Sequence, residues 1–355
     1  MISTLTIEDL VYDLPSKLIA TKPASPRSSA KMLVVKSDSN EHRIISDFPA
    51  VVPSESLIVF NETSVLPARF IARRVESGGR VEGLFLKELE DGSWMVMLKS
   101  NGKLRPRIKL ELLSGVQLTL GDREGMNWIC TCNDSRNASE VLADNGLVPI
   151  PPYILRARGE EHFADSQDKQ WYQTVYADPK QNQSVAAPTA GLHFDEALLD
   201  RLDNAGVHRV PVTLNVGAGT FKAIETERIE DHQMHEENWS VSQESLDMIK
   251  KAKAEDRPVI AIGTTSVRTL ESLPPIAEWP SSGGLAGSTR LMISPIYDFR
   301  LVDGLLTNFH LPKSTLLALV AAMIGIDKLR FTYEEAIRLG YRFYSYGDAM
   351  FIPPK

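Results

Sequence analysis

RVEGLFLKELEDGSWMVMLKS, residues 80–100, contains two short runs of alternating apolar and polar residues, separated by the turn signal EDG. Such alternation is typical of strands that bury one face. Similar runs follow at IKLELL, VQLTLGD and NWICTCN, separated by the turn signals SNG and GDREG. No long helical pattern occurs before SRNASEVLADNG, at 135–146. The segment 71–149 is therefore predicted to form a small antiparallel β-barrel or sandwich, and we take the barrel as the leading prediction.

The sequence on both sides of this segment alternates strand and helix patterns. Before it, AKMLVVKS and ESLIVFN are strand-like, and TIEDLVYDL is predicted to form a short helix. After the Pro-rich VPIPPY, the alternation continues to residue 355. Because both flanks can share one sheet, we predict an α/β main domain, residues 1–70 plus 150–355, interrupted by an inserted small antiparallel β-barrel domain, residues 71–149.

Composition and charge favour a soluble cytoplasmic enzyme. The longest apolar run, TLLALVAAMIGI, is shorter than the ~20 residues that a membrane-spanning helix needs, so no membrane association is expected. The first residues show no secretory signal. The net charge of −7 argues against non-specific coating of nucleic acid, although a local basic patch can still bind RNA. Cys130 and Cys132 are expected to be spectators on one strand face.

Three strand-to-helix junctions are candidate walls of one pocket, because open α/β sheets bind ligands at the carboxyl ends of their strands. The first runs from RVPVTLNV into GAGTF, a tight turn with Gly217 and Gly219. The second runs from RPVIAIG into TTSVRTLESL, where Thr265 or Ser266 is predicted to cap the helix. The third is LLTNFHLPKSTLLALVAAMIG, with Ser314 as the predicted N-cap and a stop at Gly325.

Four histidines are candidate site residues, and the sequence around them leaves their roles open. His193 in GLHF and His310 in NFHL each precede a predicted helix, where they are either packing residues or pocket residues kept neutral by the positive helix end. In DHQMHEEN, His232 and His235 lie near Glu237. This segment is a metal site if it is helical, a solvated loop, or a substrate-contacting acid/base group.

Basic residues are concentrated in ARFIARRVESGGR and KSNGKLRPRIK, in or near the predicted barrel. They form either an exposed barrel face or a phosphate-contacting patch, because contacts to phosphates need Lys and Arg without a sequence code. The candidates for RNA contact are Arg73, Arg74, Lys103, Arg105 and Arg107.

Ten strings spread over nearly the whole chain resemble the S-adenosylmethionine:tRNA ribosyltransferase-isomerases of queuosine biosynthesis. They are DLPSKLIA, LIVFNETSVLPARF, IPPYI, YQTVYA, SVAAPTAGLHF, VTLNVGAGTF, DHQMH, AIGTTSVRTLES, VDGLLTNFHLPKSTL and YRFYSYGDAM. The most specific signal is the joint occurrence of APTAGLHF, GTTSVRTLES and LLTNFHLPKSTLL.

The resemblance implies an α/β fold interrupted by a barrel and a reaction on tRNA. The ribosyl portion of S-adenosylmethionine would be transferred to the aminomethyl group of 7-aminomethyl-7-deazaguanine at the wobble position and rearranged, giving epoxyqueuosine-tRNA, adenine and methionine. The implied partner is a tRNA that carries this precursor base. S-adenosylmethionine is a co-substrate, and neither a prosthetic group nor a metal is expected. A monomer is expected because no heptad seam is visible.

This chemistry needs a base beside the sulfonium carbon, an acid for the leaving adenine and stabilisation of developing charge. With the resemblance, the predicted catalytic residues are His193, His235, His310 and Glu237. The predicted substrate-binding residues are Thr189, Gly217, Gly219, Thr264, Thr265, Ser266, Arg268, Asn308 and Asp348.

The chain departs from the family pattern at three positions: Asn215 replaces His, Ser64 replaces Arg, and Ile296 replaces Gly before a Tyr. Asn keeps hydrogen bonding but cannot titrate. Two alternatives therefore remain, a same-fold S-adenosylmethionine-dependent enzyme with another acceptor and a non-catalytic RNA-binding homologue. A conventional methyltransferase is disfavoured, because the sequence has no strand followed by a glycine-rich turn and a downstream acid.

Overall fold

The first strands of the main sheet lie before the barrel. A computed structural model describes residues 6–159, 165–217, 224, 226 and 228–355. Strands β1 (Lys31–Val35) and β2 (Asn40–Ile44) form an antiparallel hairpin, followed by helix α1 (Phe48–Val51) and strand β3 (Leu57–Asn61). The strand predictions for this region are confirmed. The helix predicted at 6–14 is only a 3-10 turn, Ile7–Leu10, because the Asp9 carboxylate caps it at Thr6 and the backbone is extended again at Val11.

A closed antiparallel barrel follows β3. In chain order, the elements of this part are β4 (Ser64–Val65), β5 (Arg69–Arg74), β6 (Arg80–Glu88), β7 (Trp94–Ser100), β8 (Lys109–Leu112), β9 (Gln117–Glu124), β10 (Asn127–Cys132), α2 (Ala138–Asn145) and β11 (Gly146–Leu147). Each of β5 to β10 pairs with two neighbours in the order β5-β6-β7-β10-β9-β8, and β8 returns to β5. The predicted barrel is thereby confirmed, whereas the exact domain limits, 71 and 149, stay a prediction.

The alternation that predicted these strands also fills the barrel. Trp94, Val96, Leu110 and Leu118 are fully buried inside it. Between β5 and β6, the Phe70 ring occupies the space where Gly83 would carry a side chain: an added Cβ would lie 2.1 Å from the ring. The barrel core is completed from outside, by α2 and by Val185 of the main domain.

The rest of the chain returns to strands alternating with helices. Its elements are α3 (Pro152–Arg158), α4 (Asp165–Trp171), β12 (Asn182–Ser184), α5 (Glu196–Asn204), β13 (His208–Leu214), β14 (Glu237–Val241), α6 (Gln243–Ala254), β15 (Val259–Ile262), α7 (Thr264–Glu271), β16 (Leu285–Thr289), β17 (Gly304–Asn308), α8 (Thr315–Ile324), α9 (Ile326–Arg338) and β18 (Ala349–Ile352).

One large sheet joins both flanks of the barrel. Over the described residues its strand order is β16-β14-β13-β3-β15-β17-β18-β1-β2. Strands β13, β3, β15 and β17 are parallel neighbours, so their carboxyl ends meet at one edge. Since β3 and β13 are adjacent in the sheet but lie on opposite sides of the barrel in sequence, the barrel is an insertion into one α/β domain. The predicted fold class is confirmed.

Both faces of the sheet are covered. In β3, Leu57 and Val59 pack into the core on one face, while Ile58 and Phe60 pack into the core on the other. Burial on both faces explains why this strand reads as a continuous apolar run. Among the helices of the described ranges, none is long and apolar enough to cross a membrane.

Candidate active site

A cavity of about 580 Å³ opens at the carboxyl ends of β15 and β17. Helices α7 and α8 begin at this cavity, residues 186–190 form a further wall, and α3 contributes Tyr153 and Arg156. This is the edge where open α/β sheets bind ligands.

Five residues predicted from the sequence line this cavity: Thr189, Thr264, Thr265, Asn308 and His310. The Thr189 hydroxyl donates to Asn308 Oδ1 at 2.9 Å, and Asn308 Nδ2 donates to the Tyr344 carbonyl at 3.1 Å. These two hydrogen bonds fix the orientation of the amide and join three separate chain segments.

His310 is held as a neutral ring. Its Nε2 lies 2.8 Å from the Thr307 hydroxyl oxygen, and its backbone N–H donates to the Tyr333 hydroxyl at 2.9 Å. Burial lowers the pKa of His310 to about 3, because the imidazolium form would lose its hydration. Within the described residues, no hydrogen-bond partner meets Nδ1, the other ring nitrogen. The ring therefore has one anchored nitrogen and one available to a ligand.

Helix α7 presents an uncapped N-terminus to the cavity. Its N-cap is Gly263, with φ of +86° and no side-chain cap, so the predicted capping by Thr265 or Ser266 is wrong. The Ser266 hydroxyl instead donates backwards to the Ile262 carbonyl at 2.9 Å. The Thr265 hydroxyl oxygen is buried and has no hydrogen-bond partner in the described part of the chain. The first amides of a helix have no acceptor within it, so this wall offers free N–H donors.

His193 lies outside the cavity lining and bridges two backbone segments. Its ring nitrogens are each 2.9 Å from a carbonyl oxygen, Nδ1 from that of Ala190 and Nε2 from that of Gly347. Burial lowers the pKa of His193, against the effect of the two carbonyls. The neighbouring Asp348 is also buried and accepts from the Arg342 side chain and the Lys31 backbone. In this structure both predicted site residues act in holding loops together.

Glu237 and Arg268 meet, but away from the cavity lining. Their side chains form an ion pair that joins β14 to α7, and both are about 5% exposed. Arg268 Nε also donates to the Leu291 carbonyl at 3.2 Å. Burial lowers the pKa of Arg268 to about 10. The structure thus pairs a residue predicted to be catalytic with one predicted to bind substrate.

The remaining predicted site residues are dispersed. His235 is exposed in an irregular segment before β14, and the stretch with His232 is not helical, so the two rings do not share a helical face. No cluster of three or more metal-ligating side chains occurs in the described ranges. Gly217 follows Val216, which lines the cavity. Gly219 lies outside the described residues.

Several lining residues were not singled out from the sequence. The Tyr153 hydroxyl lies 2.5 Å from the Ser345 hydroxyl, and the ring of Tyr153 packs edge-on against Tyr344 at 4.9 Å. Tyr344 has a φ of +72°, in the left-handed region that aromatic residues rarely adopt. The strings IPPYI and YRFYSYGDAM contain these residues, but only the fold shows that they meet. A backbone outlier at a cavity wall is typical of a functional site.

Two of the three departures from the family pattern, Asn215 and Ser64, form hydrogen bonds at or next to β4. The Thr63 hydroxyl donates to Asn215 Oδ1 at 3.1 Å, and the Ser64 hydroxyl accepts from Gln173 Nε2 at 2.8 Å. Ser64 is buried, whereas Ile296 is 64% exposed. The side chains of Asn215 and Ser64 are therefore each held in place by a hydrogen bond to a neighbouring side chain.

The candidates for RNA contact all lie at one end of the barrel. Arg73, Lys103, Arg105 and Arg107 are exposed, whereas Arg74 is half-buried and donates to the Ser100 hydroxyl at 2.9 Å. Contact with RNA stays a prediction for these side chains.

The fold and the cavity together define an α/β enzyme that carries an inserted β-barrel. Residues 7–352 match the family model described as "Queuosine biosynthesis protein". Relatives from Acidithiobacillus ferrooxidans and Herminiimonas arsenicoxydans are 42% and 41% identical over 350 residues, 98% of both chains in each case. Both are named S-adenosylmethionine:tRNA ribosyltransferase-isomerase.

A solved structure agrees with these matches. The crystal structure of the S-adenosylmethionine tRNA ribosyltransferase from Thermotoga maritima is 30% identical, with a TM-score of 0.53, and the match covers 97% of this chain and 99% of that one. The chain belongs to the queuosine biosynthesis protein family.

Proposed function

We propose that this enzyme transfers the ribosyl group of S-adenosylmethionine to the aminomethyl group of 7-aminomethyl-7-deazaguanine at the tRNA wobble position and isomerises it. The products are epoxyqueuosine-tRNA, adenine and methionine. One observation carries the proposal: the three most specific strings, APTAGLHF, GTTSVRTLES and LLTNFHLPKSTLL, all contribute walls to one cavity. Since both proposed substrates are cytoplasmic, we place the reaction in the cytoplasm.

His310 is the proposed proton carrier. The reaction removes a proton next to the sulfonium carbon and releases adenine, which leaves more easily when protonated. If Nε2–H donates to Thr307, Nδ1 carries the free lone pair and can accept that proton. Because burial disfavours the imidazolium form, the ring is neutral before the reaction and is a strong acid afterwards. The low pKa makes the neutral ring a weak base and its protonated form a strong acid, so these properties favour delivery of the proton to the departing base. Removal of the proton from carbon is assigned to the ring by the free lone pair of Nδ1 alone.

The N-terminus of α7 is the proposed site for the carboxylate of the donor. The free amides of Thr264 and Thr265, with the unpartnered Thr265 hydroxyl, supply donors and a positive helix end at the cavity wall. Arg156, exposed at the cavity, adds a cation. Thr189 and Asn308 are then available for donor hydroxyls. His193, Asp348, Arg268 and Glu237 keep only an indirect role, in shaping the walls.

Incubation of the enzyme with S-adenosylmethionine and precursor tRNA tests the proposal. Adenine and methionine should appear with the mass increase on the tRNA. Adenine without modified tRNA would favour another acceptor, and tRNA binding without adenine would favour a non-catalytic homologue. His310→Ala should lower turnover by about 10²-fold or more, as expected for loss of an acid/base group. The exposed His208→Ala is the matched control and should retain wild-type turnover.

A further inference from the structure

The barrel has two chemically different ends. Strand register places Arg73 opposite Arg80, Val81 opposite Ser100 and Glu124 opposite Asn127. The loops 75–79, 101–108 and 125–126 therefore emerge at the same end, which we call the basic end. The chain joins the main domain at the other end, before Arg69 and after Cys132.

One segment of the basic end is rich in positive charge, although Glu82 lies opposite Lys99 in the β6–β7 pair. Residues 99–109 contain five cations and no carboxylate, in a chain whose net charge is −7. All five are exposed, and no ion pair to them occurs in the described chain; they are Lys99, Lys103, Arg105, Arg107 and Lys109. Such an accumulation destabilises an isolated protein through self-repulsion, so its presence points to an anionic partner.

Arg107 occupies a backbone position that arginine disfavours. Its φ is +71°, and the turn is closed by the Ile108 N–H donating to the Arg105 carbonyl at 3.4 Å. Pro106 at the second position and a left-handed third residue are features of a type II turn, which usually has Gly or Asn at the third position. A left-handed conformation is unfavourable for a residue that carries a side chain. The exposed guanidinium, rather than the fold, accounts for arginine here.

The loop that carries these cations is fixed. The Arg107 N–H donates to the Leu120 carbonyl at 2.6 Å, and Arg74 Nη2 donates to the Gly102 carbonyl at 2.5 Å. The guanidinium of Arg74 also packs against Gly102, where an added Cβ would lie 3.0 Å from Nη2. The cations are thus presented by an ordered surface, which lowers the entropic cost of binding.

The basic end is a barrel length away from the cavity. Val185 packs into the barrel core, and the next residues, Ala186 and Ala187, line the cavity, so the cavity adjoins the opposite end of the barrel. The nine residues of β6 run between the two ends and span about 30 Å. A ligand that reaches both places must extend along the barrel.

We propose that the basic end binds the sugar–phosphate backbone of the RNA substrate, in a stem remote from the reacting base. The inference rests on the proposed function for the identity of the RNA. Phosphates spaced along a stem match a segment that presents several exposed cations, and binding of this kind is independent of base sequence. The enzyme would thereby hold its RNA at two separated places.

The test compares binding of full-length tRNA transcript with binding of a short anticodon stem-loop, across a series of salt concentrations. Arg107→Ala should weaken tRNA binding several-fold and lower the slope of log affinity against log salt by about one. Arg107→Gly should weaken binding equally and leave the free energy of unfolding equal or higher, because the strain is removed. Arg107→Lys should restore the slope. The short stem-loop should bind equally to all variants.

Lys87→Ala is the matched control, since Lys87 is an exposed cation on the same barrel near its other end. It should bind tRNA with the wild-type slope. Unchanged slopes for Arg107→Ala and Arg107→Gly would overturn the inference, as would equal weakening by Lys87→Ala. Adenine release by the wild-type enzyme is measured separately, so loss of the proposed function is distinguishable from loss of this surface.

Discussion

Two histidines that look equivalent in sequence have different environments. His193 and His310 both precede a helix beside Phe and Leu, yet only His310 lines the cavity. The difference comes from the 3-10 turn Thr189–His193, which directs the His193 ring towards the carbonyls of Ala190 and Gly347. No local pattern encodes the Gly347 contact, because it lies 154 positions away in the chain.

The buried neutral ring of His310 should make the protein sensitive to acid. The pKa of His310 is about 3 in the folded chain, against an ordinary value of 6.5, so between these values only the unfolded chain binds the proton. The free energy of unfolding should therefore decrease as the pH is lowered below 6.5. The contribution of His310 to this decrease should be about 2 kcal/mol between pH 8 and pH 5. Urea unfolding of His310→Gln should show a fall smaller by that amount. An equal decrease in unfolding free energy for His310→Gln and the wild type would contradict the low pKa of His310. His208→Gln, at an exposed position, is the control and should behave like the wild type.

The buried pair of Glu237 and Arg268 predicts a defect in stability. Glu237→Gln leaves the guanidinium buried without its carboxylate, which should cost about 3–5 kcal/mol of unfolding free energy. Replacing both residues with apolar ones, Glu237→Leu with Arg268→Met, should recover much of that loss. Denaturant titration measures both effects. A Glu237→Gln variant that is as stable as wild type but inactive would instead support the catalytic role predicted from the sequence.

At the scale of elements, helix starts were predictable where a side chain caps the helix. Ser314, the predicted N-cap of α8, accepts from the Leu317 N–H at 3.2 Å, as its position before an apolar run indicates. The start of α7 was mispredicted, because its N-cap is a glycine and the hydroxyls that follow it point elsewhere. The missing cap is the feature that leaves the helix amides free at the cavity.

Gly263 should be sensitive to substitution for this reason. Gly263→Ala forces a side chain onto φ of +86°, and the new Cβ would meet Ala190 Cβ at an ordinary 3.4 Å, so backbone strain and not a clash would displace the start of α7. We expect a loss of roughly 1–3 kcal/mol of stability and donor binding weakened about tenfold or more, measured calorimetrically with S-adenosylmethionine. Gly325→Ala, at the N-cap of α9, places nearly the same strain at φ of +81° and ψ of 157°, outside the cavity lining. This control variant should lower stability and leave the affinity for S-adenosylmethionine unchanged. An equal loss of affinity in both variants would contradict the proposal that the N-terminus of α7 binds the donor.

At the scale of the molecule, the barrel and the main sheet were predictable because period-two alternation and continuous apolar runs are local signals. Their junction was not. Val185 completes the barrel core although it lies more than 50 positions after Cys132, and nothing in its neighbours marks it. The same holds for the cavity: its motifs were recognisable, but Tyr153, Tyr344 and Ser345 meet only through the sheet order.

Thiol labelling can measure how tightly the junction couples the two units. Cys130 is fully buried in β10, and burial raises its pKa to about 12, so it reacts only when the barrel opens. Val185→Ala should weaken the barrel core by about 1.5–2 kcal/mol and speed labelling of Cys130 roughly tenfold or more in a Cys132→Ser background. Val175→Ala, a change at a partly exposed position, is the control. Unchanged labelling would mean that the barrel is stable without the main domain.

The strand order also determines when the cavity can form during synthesis. Strand β18 lies between β17 and β1, and the Lys31 N–H donates to Asp348 Oδ1, 317 positions later. The barrel, by contrast, forms all the pairings among β5 to β10 within residues 69–132, so its strands leave the ribosome long before residues 344–352. The nascent chain can therefore pair its barrel strands first, whereas its main sheet stays incomplete until residues 344–352 have emerged. The enzyme can therefore become active only after nearly the whole chain has been synthesised.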